Sequence, residues 1–416
     1  MRVSREKATL WYYLLVIAVL VFLFFTNDFG TLDVQKTAIV MAVGVDKEED
    51  DFLLTAQIAV PQSSTQGKAS QTQQLTSRGK TIAQAFRSIN AKTGWYPKLV
   101  FCNLILLGKS TLQQNAFDAL EFFFLDEYLS DDCLVAACEG AAKEILDTKA
   151  LVDEASSLAI QKVLSPHAER VGAVMPCTLR EFAIGYYGDS RSSFLPILKT
   201  EPGQEKSAQD SASSAENSSS EASSDSASSG SSSGGESASG GEKKQEEKPV
   251  FSAGETALIV GGRQVGKFTK DETFAFNAVK SKLRLAAFDV DADGETCSLS
   301  IKHNAHKSFF TVGANDVATL KISVKLTAGL LDNSAALPLE KSADAGDVPI
   351  HAFAAAEKRL FGYISSTFDK CKSSGCDLFE LRYILQKYAN AKYERLQEQI
   401  LQTALLSAKV EFVNVR

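Results

Sequence analysis

The sequence lacks the short motifs that mark the commonest metal, redox and hydrolytic sites. Its seven cysteines form no C-x-x-C pair, which excludes zinc-ribbon and thioredoxin-like signatures. It has four histidines but no H-E-x-x-H segment, and His303 and His306 have no neighbouring cysteine or spaced carboxylate to complete a metal site. No G-x-S-x-G segment occurs. The sequence therefore predicts a protein that is not an enzyme and that holds no cofactor or metal.

The chain also lacks an excess of positive charge. Its 416 residues include 44 basic and 51 acidic side chains, a net charge of −7. Nucleic-acid binding requires a basic surface, so we expect no nucleic-acid partner. Hydrophobic residues make up 44% of the chain, which is typical of a globular protein and too low for a multi-span transporter. The length allows two or three domains.

Two incomplete ligand-binding motifs and one cysteine pair are present. In "GGRQVGKFT", Phe268 stands where a phosphate-binding loop needs a magnesium-binding Ser or Thr, so we predict a Gly-Gly hairpin. In "DVDADGETCSLS", Ser300 falls where an EF-hand needs its bidentate Glu, so we predict a solvated Asp-Gly turn. Cys371 and Cys376 could bridge in an oxidising compartment, or be two thiols near a helix end, the interpretation that we favour.

The longest apolar run lies near the N-terminus. "LWYYLLVIAVLVFLFF" extends through small residues to Ala8 and Thr26. As a helix, these residues would span roughly 28 Å, enough for a hydrocarbon core. A secretory signal peptide is the alternative, but the following "TNDFG" offers no small-x-small cleavage site. We therefore predict an uncleaved transmembrane anchor, with Trp11, Tyr12 and Tyr13 at a headgroup boundary.

Charge and composition divide the rest of the chain. Basic residues precede the apolar run and acidic ones follow it, so the bulk of the chain is expected outside the cytoplasm. We predict a short basic cytoplasmic end (1–7), the transmembrane anchor (8–26), an N-terminal module of one or two subdomains (31–200), a Ser-rich disordered linker (201–249) and a C-terminal domain (250–416).

The N-terminal module alternates strands and helices without strict β-α-β spacing, so we predict an α+β fold. A hairpin, "AIVMAVGV" to "FLLTAQIAV", turns at a solvated "DKEEDD" tip, and a polar loop at 62–75 follows. Helical spacing buries Ile82, Ala85, Phe86 and Ile89. One helix is predicted over "TLQQNAFDALEFFFLD" and another over "AAKEILDT", with strands in "KLVFCNLILLG" and "CLVAACEG".

The C-terminal domain is predicted to begin with a hairpin that turns at Gly261-Gly262. Thr269 and Glu272 form a capping box that starts a helix. The remaining predicted elements are strands at 296–302 and 318–328, helical regions at 350–372 and 377–406, and a final strand in "AKVEFVNV".

The order of several segments resembles the Ger(x)C family, the C subunit of spore nutrient germinant receptors. "AIVMAVGVDKEEDDFLLTAQIAVP" is similar to the family's first hairpin, L-A-I-V-x-A-I-G-I-D-K followed by L-T-V-Q-I-V-x-P. Similar family segments match the following stretches, in this order: "GKTIAQAFRSI", "LVFCNLILLGKS", "EGAAKEILDTK", "GETALIVGGRQVGKFTKDETFAFNAVK" and "CDLFELRYILQKY".

The N-terminal segment departs from the family pattern. Members usually carry a lipidated cysteine in a Cys-Trp-Asp stretch, but no cysteine precedes Cys102 here. Asp28 aligns with that cysteine, Phe29 with the tryptophan and Asp33 with a following glutamate. The uncleaved helix must therefore provide the anchor. The long Ser-rich linker is a second departure.

The resemblance implies an α+β protein with two or three extracytoplasmic mixed α/β subdomains on the outer face of the spore inner membrane. It implies a single-pass, non-catalytic assembly or coupling component in nutrient-triggered spore germination. Its partners would be the A and B membrane subunits, together with membrane lipid through the N-terminal helix. Phe29, Asp33, Asp46 and Lys47 are the candidate partner-contact residues. The alternatives are an extracytoplasmic small-molecule-binding module and, third, an envelope hydrolase.

Overall fold

The structure is a computed structural model, and it contains a separate N-terminal helix and two β-sheets with their helices. The residues that it describes are 2–26, 37–59, 72–148, 153, 155–201, 250–292, 294–333 and 348–415. The predicted linker therefore lies outside the described residues except for Glu201.

The predicted anchor falls in one helix, α1 (Arg2–Thr26). Its side chains are described over residues 10–22, and all of these residues are exposed. In the described part of the chain, no helix combines the length and the apolarity that a membrane crossing requires. The transmembrane anchor therefore stays a prediction.

The first sheet is built around four parallel strands. Its strands are β1 (Thr37–Glu48), β2 (Asp51–Ala59), β3 (Thr72–Gly79), β4 (Tyr96–Lys98), β5 (Leu104–Leu107), β6 (Leu134–Cys138), β7 (Ser192–Glu201), β8 (Val250–Val260) and β9 (Arg263–Phe268). Their order is β3-β2-β1-β5-β6-β7-β8-β9, with β4 beside β1. Since β1, β5, β6 and β7 are parallel, their first residues share one edge, the amino edge, and their last residues share the opposite, carboxyl edge.

Helices cover both faces of this sheet. One face packs against α2 (Ile82–Thr93), α3 (Lys109–Gln114), α4 (Ala116–Leu125) and α8 (Leu179–Tyr187). The other packs against α5 (Ala142–Asp147) and α6 (Ser156–Val163), and α7 (Pro166–Val171) follows. Strand β5 lies between these two layers of helices, and all four of its residues are fully buried. Continuous apolar runs are typical of parallel strands covered on both faces.

The predicted hairpin and the first helix are confirmed. Strands β1 and β2 pair in antiparallel register, and α2 buries the predicted Ile82, Ala85, Phe86 and Ile89. The hairpin turn is tighter than predicted, since Glu48 already pairs with Asp51 and Glu49 adopts a positive φ of 52°.

Two local predictions in this region are wrong. The polar loop predicted at 62–75 is wrong at its end, since β3 begins at Thr72 and pairs with β2, and residues 62–71 lie outside the described residues. Its polar residues are tolerated because β3 is at the edge of the sheet among the described strands, where β2 is its one neighbour. The single helix expected over 111–126 is two helices. Asn115 between them is extended, with φ −158°, and its side chain caps α4 by accepting from the Phe117 amide.

The second sheet comprises β10 (Ala287–Ala292), β11 (Glu295–Val312), β12 (Ala318–Asn333) and β13 (Leu405–Asn414), in that order. The helices around it are α9 (Lys270–Val279), α10 (Ile350–Ser374), α11 (Leu381–Tyr388), α12 (Tyr393–Leu396) and α13 (Ile400–Thr403). The long helix α10 packs on one face, where alternate residues of β12 are buried. The intervening residues are half-buried or, like Lys321 and Lys325, exposed.

The turn and cap predictions here are confirmed. Gly261 and Gly262 form the β8–β9 turn with positive φ angles of 56° and 83°. Thr269 and Glu272 make both hydrogen bonds of the capping box that starts α9. The expected strands at 296–302 and 318–328 exist but extend further, and β10 was not predicted. The "GGRQVGKFT" segment is thus the turn and second strand of a hairpin, followed by the N-cap residue of α9.

The first sheet continues across the predicted linker. Glu201 at the end of β7 pairs with Val250 at the start of β8, so the residues that flank 202–249 are hydrogen-bonded neighbours. Leu258 and Phe268, from β8 and β9, are part of the core of the second sheet. The domain boundary at residue 250 stays a prediction, but the strands that follow it belong to the first sheet.

Candidate functional site

Asp46, one of the predicted contact residues, lies at the carboxyl end of β1 and is only 4% exposed. Its two carboxylate oxygens accept hydrogen bonds from the Ala142 and Lys143 amides, at 2.8 and 3.0 Å. Burial raises the pKa of Asp46, and these two bonds oppose the shift. The prediction that "DKEEDD" is wholly solvated is therefore wrong at its first residue.

Helix α5 explains why an acid is required at position 46. Its own N-cap residue, Ala141, has no side-chain hydrogen-bond acceptor, so the carboxylate of a distant strand caps the helix instead. Space for the carboxylate depends on Gly108 at the end of β5, because a Cβ atom there would lie 1.8 Å from Asp46 Oδ1. Asp46 thus joins β1, β5 and α5 at the carboxyl edge, which is a structural role. Its partner contact stays untested.

Lys47 is half-buried beside the hairpin turn. Its amide donates to Ser110 Oγ at 3.0 Å, and its ammonium donates to the Asp50 carbonyl at 2.8 Å. The ammonium also lies 3.9 Å from the centroid of the Phe52 ring. The lysine therefore presents a fixed positive charge next to the exposed acids of the tip. Phe29 and Asp33 lie outside the described residues.

A groove of about 690 Å³ lies between the two sheets, where no predicted site residue falls. Helix α8 and the following loop form one wall, and α9, α11 and residues 377–380 form the other. Its apolar lining includes Ile184, Leu378 and Tyr383. Apolar and charged side chains thus meet in one groove, a mixture that is common in ligand sites.

Hydrogen bonds join the two walls of this groove. The Asp377 amide donates to Ser192 Oγ at 2.9 Å, and Arg382 donates to the Asp189 carbonyl at 3.0 Å. Lys280 and Glu380 form an ion pair at 2.9 Å. Burial raises the pKa of Asp377, although the amides of Arg382 and Leu381 donate to its carboxylate.

Sequence reasoning missed this groove because its residues are far apart along the chain. Ser192 and Asp377 are separated by 185 positions, so no local spacing could bring them together. For Asp46 a signal was present: an acid directly after a buried strand, and a later helix that begins at "GAAKE" without a capping side chain.

The seven cysteines and His306 lie outside this groove. All seven cysteines are described, free and buried, including Cys371 and Cys376. Burial raises the pKa of Cys376 to about 12, so its thiol is protonated at neutral pH. His306 Nδ1 lies 2.7 Å from Ser281 Oγ. Among the described residues, no group of three or more His, Cys, Asp or Glu side chains could hold a metal ion.

Comparisons with known proteins support the predicted fold and family. Residues 30–200 match the family model of the spore germination protein N-terminal domain. The chain is similar to the crystal structure of the GerBC protein, with a TM-score of 0.52 and 15% identity over 90% of this chain and 97% of that one. That similarity confirms the mixed α+β fold. No curated protein matches the chain.

Proposed function

We propose that this chain, which belongs to the Ger(x)C family of spore germination proteins, is the membrane-anchored C subunit of a nutrient germinant receptor. In this role it is a non-catalytic component that binds and couples the A and B membrane subunits. The observation that carries the proposal is the family match over residues 30–200. That match covers both the hairpin and the helices around Asp46.

The proposed location is the outer face of the spore inner membrane, with α1 as a single-pass, uncleaved signal anchor. The 16-residue run from Leu10 to Phe25 supports this part of the proposal, because it contains no charged side chain. The basic residues before it and the acids after it support an outward orientation of residues 27–416.

The proposed contact surface is the tip of the β1–β2 hairpin, with Lys47 as its fixed cation, together with Phe29 and Asp33 before β1. Glu48, Glu49 and Asp50 are exposed there. Charges on an exposed turn contribute to partner recognition mainly through complementarity. Asp46 positions this tip by tying β1 to α5.

The test is germination of spores in which this gene is deleted, measured as dipicolinate release after nutrient addition. The proposal predicts that nutrient-triggered release falls while release by a receptor-independent stimulus is unchanged. Normal release in both assays, in a strain without paralogous receptors, would contradict it. The wild-type gene should restore release, and Lys47→Glu should restore less than the matched exposed-lysine control Lys321→Glu.

A second candidate function is favoured by the groove between the sheets. Its volume of about 690 Å³ suits a small molecule, and Lys280, Glu380 and Arg382 could orient opposite charges of a ligand. Saturable binding of a nutrient by the purified full-length protein, abolished by Arg382→Ala, would support this candidate. Absence of binding across the nutrients that trigger germination would reject it.

A further inference from the structure

A cluster of large exposed side chains lies at the amino edge of the first sheet. We define the aromatic patch as Trp95, Tyr96, Val100, Phe101, Leu125 and Tyr128. Each of these side chains is between 40% and 77% exposed. Single exposed apolar residues are ordinary, but several at one edge of a sheet indicate an interaction surface.

The patch is next to the place where the chain enters the first sheet. Tyr96 in β4 pairs in parallel with Thr37, the first residue of β1. The turn at 99–102 continues along the same side of β1, where the Asn103 amide donates to the Met41 carbonyl. Tyr128 lies just before β6, and the Lys98 ammonium is 4.2 Å from its ring centroid, which brings it to the same edge.

The length of chain before β1 limits how far this patch can lie from α1. Helix α1 ends at Thr26 and β1 begins at Thr37, so 11 residue steps join them. A fully extended chain covers at most about 3.6 Å per residue, so the two ends are within roughly 40 Å of each other. A domain held on such a short connection meets the membrane surface continually if α1 is the anchor.

We propose that the aromatic patch docks on the lipid bilayer, with Trp95 and Tyr96 in the headgroup region. The inference rests on the proposed anchoring by α1. Tryptophan and tyrosine rings favour the bilayer interface because one end is apolar and the other forms hydrogen bonds. The ring of Tyr128 lies next to Lys98, and the acidic Asp126 and Glu127 precede Tyr128 in the chain, so the segments that form the patch have no excess of positive charge and anionic lipid is not required.

Docking fixes which end of the domain faces outward. Strand β1 runs from the patch to the hairpin tip, and 11 steps of about 3.3 Å give roughly 36 Å. The hairpin tip and the residues that flank the predicted linker, Glu201 and Val250, lie at the carboxyl edge, away from the patch. The membrane would therefore hold the tip at a set height above the bilayer.

The experiment uses the two tryptophans of the chain. In full-length Trp11→Phe protein in zwitterionic phosphatidylcholine vesicles, Trp95 is the sole tryptophan. Its fluorescence is measured with shallow spin-labelled lipids and with aqueous iodide. The matched control is Trp11→Phe, Trp95→Phe, Asp50→Trp, which places the single tryptophan at the exposed hairpin tip. Vesicle flotation of each variant reports anchoring separately.

Docking predicts several-fold stronger lipid quenching of Trp95 than of the tryptophan introduced by Asp50→Trp, and the reverse order with iodide. Equal lipid quenching of the two in protein that floats would overturn docking and leave the anchoring proposal intact. Failure to float would overturn the anchor and, with it, the docking inference. Quenching that appears only when anionic lipid is added would contradict the proposed apolar mode of binding.

Discussion

The two sheets differ in how many faces of their strands are buried. In the first sheet, neighbouring residues of β5 face opposite cores, with Leu104 and Leu106 on one side and Ile105 and Leu107 on the other. In the second, β12 buries Leu326 against α10 while Lys325 on the opposite face is exposed. A strand with both faces covered should therefore tolerate fewer substitutions than a strand with one covered face, because the loss of stability on truncation depends on the cavity left behind.

The largest expected effect tests this difference directly. Leu106→Ala and Leu107→Ala should each lower the free energy of unfolding by about 2–5 kcal/mol, since both side chains are fully buried. In β12, Leu326→Ala on the covered face should cost a similar amount, whereas Lys321→Ala on the exposed face should change stability by less than about 0.5 kcal/mol. Denaturant unfolding of the full-length variants measures this. A large loss for Lys321→Ala, or a small one for either leucine of β5, would contradict it.

The next effect concerns the carboxyl edge of the first sheet, for which the second sheet has no counterpart among the described residues. Asp46→Ala should lower the free energy of unfolding by about 1–3 kcal/mol, because two amides at the start of α5, one buried and one partly buried, lose their acceptor. Asp50→Ala, at the exposed turn four residues later, is the control and should have little effect. Equal losses for both would show that Asp46 does not cap α5 in solution. Amide exchange at Ala142 and Lys143 should increase in Asp46→Ala alone.

A smaller effect is expected from the segment between β7 and β8. Because Glu201 and Val250 already pair, a short loop can join them. Shortening the Ser-rich segment fourfold should raise the free energy of unfolding by about 1 kcal/mol, the loop-closure entropy of two halvings. The control is a Ser-rich segment of unchanged length and composition in which the order of the residues is changed. It separates the effect of segment length from the effect of segment sequence. Loss of cooperative unfolding after shortening would contradict the pairing.

The smallest effect is expected in a comparison of two buried acids, Glu272 and Asp377, near the core of the second sheet. Burial favours protonation of Glu272, but donors from Lys370, Ser366 and the Thr269 amide together lower its pKa. Its contribution is therefore present above the unfolded value of about 4.3 and is lost as the pH falls through the lower folded value. The pKa of Asp377 is raised by burial, so its contribution to stability decreases as the pH rises from about 3.9 to the folded value.

The two acids should therefore give pH profiles of opposite slope. Relative to wild type, Glu272→Gln should lose less stability on acidification, whereas Asp377→Asn should gain on wild type as the pH rises above about 4. Unfolding free energies between about pH 3 and 7 provide the measurement. Slopes of the same sign for both variants would be incompatible with these environments.

The elements that were predicted correctly from the sequence are those whose signals are local. The hairpin of β1 and β2, the buried face of α2, the Gly261-Gly262 turn and the capping box of α9 depend on periodicity, positive φ and side-chain hydrogen bonds within a few residues. Such signals are contained in a short window, and the family resemblance supplied their order. Polar β3 gave no such signal, because an edge strand needs no apolar alternation.

Contacts between segments that are distant along the chain were not predictable from the sequence and are visible in the folded protein. Asp46 and Ala142 are 96 positions apart, Ser192 and Asp377 are 185 apart, and Glu201 pairs with Val250 across the predicted linker. The physical reason is that a hydrogen-bond donor at a helix start requires an acceptor, but nothing in its own window specifies where along the chain that acceptor lies. The strand order and the packing of the two sheets bring the acceptor to the donor.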